Sequence, residues 1–143
     1  QVRALDKSEQ ALQVARENAA ELALARVQFG CSNWFAGVTG QRFNLLVSNP
    51  PYVEEGDAHL SAGDLRFEPL GALMAPDGGM SDLEQLLTAA PKHLHNGGWL
   101  LLEHGYDQAA RVRASMLERG FDNIETRTDL AGVERISGGQ WHA

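Results

Sequence analysis

Short apolar runs and helix-spaced apolar positions alternate along this chain, the pattern of an α/β fold. Val2 to Leu5 reads as a strand ending at Asp6. Ser8 can cap a helix, and Leu12, Ala15, Ala19 and Leu22 then recur at helical spacing, a narrow apolar face. Val27-Gln28-Phe29 is the next short strand and opens into Gly30-Cys31-Ser32-Asn33-Trp34-Phe35. Gly37 and Gly40 then mark a turn. They form no phosphate-binding loop, since no helix follows them. Phe43 to Ser48 reads as a buried strand. Ser81-Asp82-Leu83-Glu84 has the spelling of a capping box, and Leu83, Leu86, Leu87, Ala90 and Leu94 continue one helical stripe. Pro91 predicts a kink or an early end to that helix. Asn96-Gly97-Gly98 breaks it, with His93 and His95 in its last turn as helix-end cations or surface groups. Trp99 to Leu102 is a fully apolar strand, as in a sheet covered on both faces. A helix over 107 to 119 turns Ala109, Val112 and Met116 inward and stops at Gly120. Phe121 to Thr128 is a strand, Asp129 to Gly132 a turn, and Val133 to Trp141 a last, antiparallel strand.

Residues 53 to 80 fit neither period. Glu54, Glu55, Asp57, Asp64 and Glu68 make them acidic, and several glycines lie among them. A loop of this length inside a domain usually serves function. The expectation is a lid or insert, anchored by Phe67 and Leu70, most of whose charges form a solvated face. His59 within it has no partner at metal-ligand spacing, and no metal site is expected.

Length and composition narrow the class. The 143 residues suit one domain, and 43% hydrophobic content supplies a core. The single cysteine, Cys31, excludes a disulfide framework and fits a reducing cytosol, so a cytoplasmic location is expected. No apolar run approaches the ~20 residues that cross a bilayer. The formal net charge of −7 disfavours a nucleic-acid partner, whose phosphates are met by Lys and Arg. The N-terminus opens straight into a strand pattern and lacks the features of a signal peptide.

The densest candidate chemistry is Asn49-Pro50-Pro51-Tyr52, placed where the apolar strand 43 to 48 ends. Each proline fixes its own φ, and the residue before each is pushed to extended geometry. Asn49 is thereby presented at a strand's carboxyl end, the edge at which open α/β sheets bind ligands. A stiff turn would use the same residues. A planar amide or amine nitrogen is a poor nucleophile because its lone pair is delocalised. Two acceptors, the Asn49 side-chain oxygen and the Pro50 carbonyl, can hold its hydrogens and favour a pyramidal nitrogen. The Tyr52 ring can pack on the planar group. Such catalysis rests on orientation and electrostatics.

Three other strand ends carry candidates. Asp6 is placed either to accept from ribose hydroxyls or to sit as an acid at a helix N-terminus. Asn33-Trp34-Phe35 can hold a purine by amide and ring, or plug the core. Glu103-His104 invites an acid–base reading, but a supporting structural role fits better, since buried carboxylates often serve hydrogen-bond networks.

Taken together, Ala4-Leu5-Asp6, Asn33-Trp34-Phe35, Val47 to Tyr52, Arg66-Phe67-Glu68-Pro69 and Leu101-Leu102-Glu103-His104-Gly105 resemble the catalytic domain of release-factor glutamine methyltransferases. The resemblance spans nearly the whole chain. It implies a Rossmann-like, class I fold dependent on S-adenosylmethionine (SAM), with strand order 3-2-1-4-5-7-6 and an antiparallel last strand. It further implies that Asp6 binds the SAM ribose, that Asn33 and Trp34 lie at its adenine, and that Asn49 also borders the cofactor. Asn49, Pro50, Pro51 and Tyr52 would take the glutamine of the Gly-Gly-Gln loop of class I peptide-chain release factors, giving N5-methylglutamine. The family has Asp where this chain has Asn33, so weaker SAM binding is expected. The family's first strand, with its glycine-rich loop, does not occur in the sequence, so a partial catalytic domain over 1 to 143, truncated at its N-terminus and impaired alone, is expected. Gly138-Gly139-Gln140 spells the substrate motif within a strand pattern and is taken as coincidence. The competing functions are an adenine-N6 DNA or RNA methyltransferase and a non-catalytic remnant that binds a partner.

Overall fold

A computed structural model of the chain describes residues 1–53 and 70–143. The elements alternate as the sequence pattern requires. They are β1 (Val2–Asp6), α1 (Glu9–Glu21), β2 (Val27–Cys31), β3 (Phe43–Ser48), α2 (Leu70–Leu73), α3 (Ser81–Ala89), β4 (Leu94–Glu103), α4 (Ala109–Glu118), β5 (Phe121–Thr128) and β6 (Glu134–Trp141). The chain divides into two compact units, Gln1–Gln41 and Arg42–Ala143.

In the first unit β1 and β2 pair in parallel, with Asp6 opposite Cys31. Ser8 caps α1, its hydroxyl accepting from the Ala11 amide at 3.2 Å. Of the expected apolar face, Leu12 is buried and Ala15 and Ala19 half-buried. Leu22 is not part of it: the helix ends at Glu21, and Leu22 is 68% exposed.

In the second unit a four-stranded sheet has the order β3-β4-β6-β5. β3 and β4 are parallel, and β6 is antiparallel to both β4 and β5, as expected for the last strand. Within this sheet the order β3-β4-β6-β5 agrees with the 4-5-7-6 part of the order expected from the resemblance. The core packs Leu83, Leu86, Leu87 and Ala90 of the α3 stripe with Leu94, Leu100, Leu102, Val112, Met116 and Phe121. Each such large side chain contributes about 1.5–3 kcal/mol of burial.

Three expectations need correction. β3 is not fully buried: Leu45 and Val47 are 52% and 69% exposed. Among the described residues β3 pairs only with β4, so it is an edge strand. Ser81 does not form a capping box. Met80 occupies the cap position without a side-chain bond, and Glu84 is drawn instead to α4. There it accepts from Ser115 Oγ at 2.9 Å and pairs with Arg119 Nη2 at 2.6 Å. Asn96-Gly97-Gly98 does not end a helix. α3 stops at Ala89, a 3-10 turn carrying Pro91 follows, and β4 begins at Leu94, placing His95 in the strand. Of the lid expected over 53 to 80, residues 54–69 lie outside the described residues, and with them His59, Arg66, Phe67, Pro69, Glu54, Glu55, Asp57, Asp64 and Glu68.

Candidate active site

Each unit gathers its candidates at the carboxyl edge of its parallel strands. In the first, Asp6 ends β1 and its carbonyl accepts from the Ser32 amide at 2.9 Å, which sets the loop after β2 beside it. The exposed Asp6 carboxylate uses Oδ1 to accept from the Ser8 amide at 2.7 Å. A carboxylate has about four lone-pair sites, so this bond leaves acceptor capacity for vicinal hydroxyls. The two readings of Asp6 are therefore compatible.

The loop after β2 is built around Ser32, which the sequence pattern did not single out. Its buried hydroxyl donates to the Trp34 carbonyl at 2.8 Å and accepts from the Gly37 amide at 2.8 Å. That staple holds Trp34 at φ 49°, a left-handed conformation that costs a non-glycine residue about 1–2 kcal/mol. Asn33 is exposed and Trp34 half-buried, so the loop offers an amide edge and a ring from one rigid turn. These are the donor and acceptor types that an adenosyl group needs.

In the second unit Ser48 pairs with Leu102, so β3 and β4 end together. Asn49 is exposed beyond β3, Pro50 is buried, and Pro51 and Tyr52 are half-buried. The Tyr52 hydroxyl donates to Glu103 Oε1 at 3.1 Å. This bond joins the tetrad to the Leu-Glu-His-Gly segment and gives Glu103 a supporting role. Burial pushes the Tyr52 phenol above its ordinary value of 10.0; the hydrogen bond to Glu103 and that carboxylate's charge push the same way, against Arg135. Tyr52 therefore stays protonated and donating at neutral pH.

The peptide after Tyr52 is held on both sides. The Tyr52 carbonyl accepts from Gln108 Nε2 at 3.0 Å, and the Val53 amide donates to the Leu73 carbonyl at 2.9 Å. His104 is fully buried. One ring nitrogen faces the Gly105 carbonyl at 2.9 Å, which can only accept; the other meets Ser137 Oγ at 2.9 Å. Nδ1 therefore donates to that carbonyl, and Nε2 shares the second hydrogen bond with the Ser137 hydroxyl. Gly138-Gly139-Gln140 lies inside β6, where both glycines are buried and a Cβ on Gly138 would collide with Leu101 Cδ2. The Gln140 amide donates to the Gly97 carbonyl and accepts from Asn123, both at 2.9 Å. These glycines are packing residues.

Parallel strands ending in polar loops, with an antiparallel final strand inserted beside β4, are the Rossmann-like arrangement of class I methyltransferases. A methyltransferase of Pyrococcus furiosus superposes with TM-score 0.71 at 20% identity, over 100% of this chain and 64% of that one. A Streptococcus mutans chain assigned as a methyltransferase and solved in complex with SAH gives TM-score 0.55 at 16% identity, over 98% and 75%. Residues 1–81 match the methyltransferase small domain, and the chain belongs to that family. It is 49% identical over 140 residues to a release factor glutamine methyltransferase of Pseudomonas aeruginosa, and 48% over 142 residues to one of Vibrio cholerae. These alignments cover 98% and 99% of this chain, which spans about half the length of the curated relatives it matches (51% and 50%).

Proposed function

We propose that the protein carrying this chain methylates the side-chain amide nitrogen of the glutamine in the Gly-Gly-Gln loop of class I release factors, in the cytoplasm. The observation that carries this reading is the fixed strand-end tetrad: Asn49 exposed at the edge, with the Tyr52 peptide and hydroxyl both tied to the fold behind it. The relatives' names supply the acceptor. The first unit's loops would hold SAM, which when bound supplies an electrophilic methyl group. Asp6 would accept from its ribose hydroxyls, Asn33 and Trp34 would take its adenine, and Asn49 would border it.

Asn49 Oδ1 and the Pro50 carbonyl accept the two amide hydrogens of the glutamine. Pro51 keeps the loop extended, and the Tyr52 ring packs on the amide plane. Held this way, the nitrogen would keep its lone pair out of the amide plane and free to react, and its surplus proton would leave to water. Orientation supplies the rate, as in other reactions run by positioned partners. Incubating the complete gene product with labelled SAM, a release factor and DNA tests the reading. Label on the release factor is expected; label on DNA alone overturns it.

A further inference from the structure

Gln108 is a buried polar side chain, 4% exposed, just before α4. Its amide orientation is fixed by what surrounds it. Oε1 lies 2.8 Å from the Gly105 amide, which can only donate. Nε2 lies 3.0 Å from the Tyr52 carbonyl and 2.8 Å from the Gly78 carbonyl, which can only accept. Both N–H groups are thus used, one on each carbonyl. Gln108 joins three segments distant in sequence: the tetrad, the turn before α3, and the loop after β4. Gly79 makes room for the join, since a Cβ there would fall on the Tyr52 carbonyl oxygen and 2.6 Å from Gln108 Nε2.

We propose that Gln108 is a positioning residue for methyl transfer. It grips the Tyr52–Val53 peptide at its carbonyl while Leu73 grips the same peptide at its N–H. With Glu103 holding the Tyr52 hydroxyl, the tyrosine is fixed at both ends. The direction of the Pro50 carbonyl and the plane of the Tyr52 ring follow from that fixed peptide. Gln108 acts from behind the tetrad and makes no contact of its own with the acceptor. This inference rests on the proposed methylation for its acceptor, but its structural half stands apart from it.

The test uses the complete gene product and the near-isosteric Gln108→Met. Losing one buried hydrogen bond to the tetrad peptide corresponds to about tenfold or more in the rates that depend on it. Hydrogen exchange at the Val53 amide should speed up by about tenfold or more, and kcat for the release factor should fall by a similar factor. The Kd for SAM should stay within about threefold, because the expected ribose and adenine contacts belong to the other unit and Gln108 holds the Tyr52 end of the tetrad, away from Asn49. Unchanged Val53 exchange and kcat in a folded variant would overturn the proposal; so would a parallel loss of kcat and SAM affinity. Should Gln108→Met not fold, the wild-type protein decides. Both Gln108 side-chain amide protons should be protected from exchange, and exchange as fast as an exposed glutamine would refute the clamp. Wild-type protein that leaves release factors unmodified would sink the proposed acceptor; Val53 exchange then still judges Gln108.

Discussion

Replacing Gly79 with alanine drives a methyl group into the peptide that fixes the tetrad. Gly79 has φ +75°, and its added Cβ would meet the Tyr52 carbonyl and Gln108 Nε2. The adjacent Gly78 also has positive φ, +61°, yet its Cβ would come no nearer than 3.5 Å, to Arg111 Nη1. Arg111 is an exposed, flexible side chain that can move aside. The two alanine variants share the backbone cost of a left-handed residue, about 1–2 kcal/mol. Only Gly79→Ala adds overpacking against backbone, about 1–3 kcal/mol, and a displaced Gln108 hydrogen bond, about 0.5–1.5 kcal/mol. Gly79→Ala should therefore lose about 2.5–6.5 kcal/mol of stability and Gly78→Ala about 1–2 kcal/mol. Urea unfolding of the complete gene product, followed by tryptophan fluorescence, measures both; Trp99 and Trp141 report from the same unit. Equal losses in the two variants would refute the close packing of Gly79 on Tyr52.

Two further outcomes follow from the site. In a Tyr106→Phe background, leaving Tyr52 as the chain's one tyrosine, phenolate absorbance should titrate above 10.0, and Glu103→Gln should lower that midpoint by removing the carboxylate charge. The raised value means that stability from the protonated phenol is fully present below the unfolded-state value and is lost as pH rises through the folded one; a midpoint unmoved by Glu103→Gln would contradict the Tyr52–Glu103 contact. Asn33→Asp restores a charged acceptor at the expected adenine contact and should tighten SAM binding about fivefold by calorimetry, whereas weaker binding would remove Asn33 from the cofactor site.

Local patterns made much of the fold legible. The β5–β6 hairpin is where it was expected to within one residue, because alternation, the Asp129–Gly132 turn and the stop at Gly120 are local signals. The α3 stripe and its early end near Pro91 were legible for the same reason. What sequence missed depends on distant neighbours. Ser81 to Glu84 spells a cap, but Glu84 meets Arg119, 35 residues away, and a charged partner outcompetes a local amide. Phe43 to Ser48 shows which residues favour burial, not which neighbours cover them. Gln108 sits at a helix start with no motif, and its importance comes from bonds to Tyr52 and Gly78. Ser32 likewise shows its role only through the turn it staples. The strand-end position of Asn49 to Tyr52 was legible because two prolines leave a strand few ways to continue.

The central claim is that Asn49 and Pro50 hold a glutamine amide for methylation. Mass spectrometry of a release factor, digested after incubation with SAM and the complete gene product, tests it most directly. The account predicts one added methyl group on the glutamine of the Gly-Gly-Gln peptide, formed at least about a hundredfold more slowly by Asn49→Ala. An unmodified glutamine with the wild-type protein, or equal rates for wild type and Asn49→Ala, would contradict it.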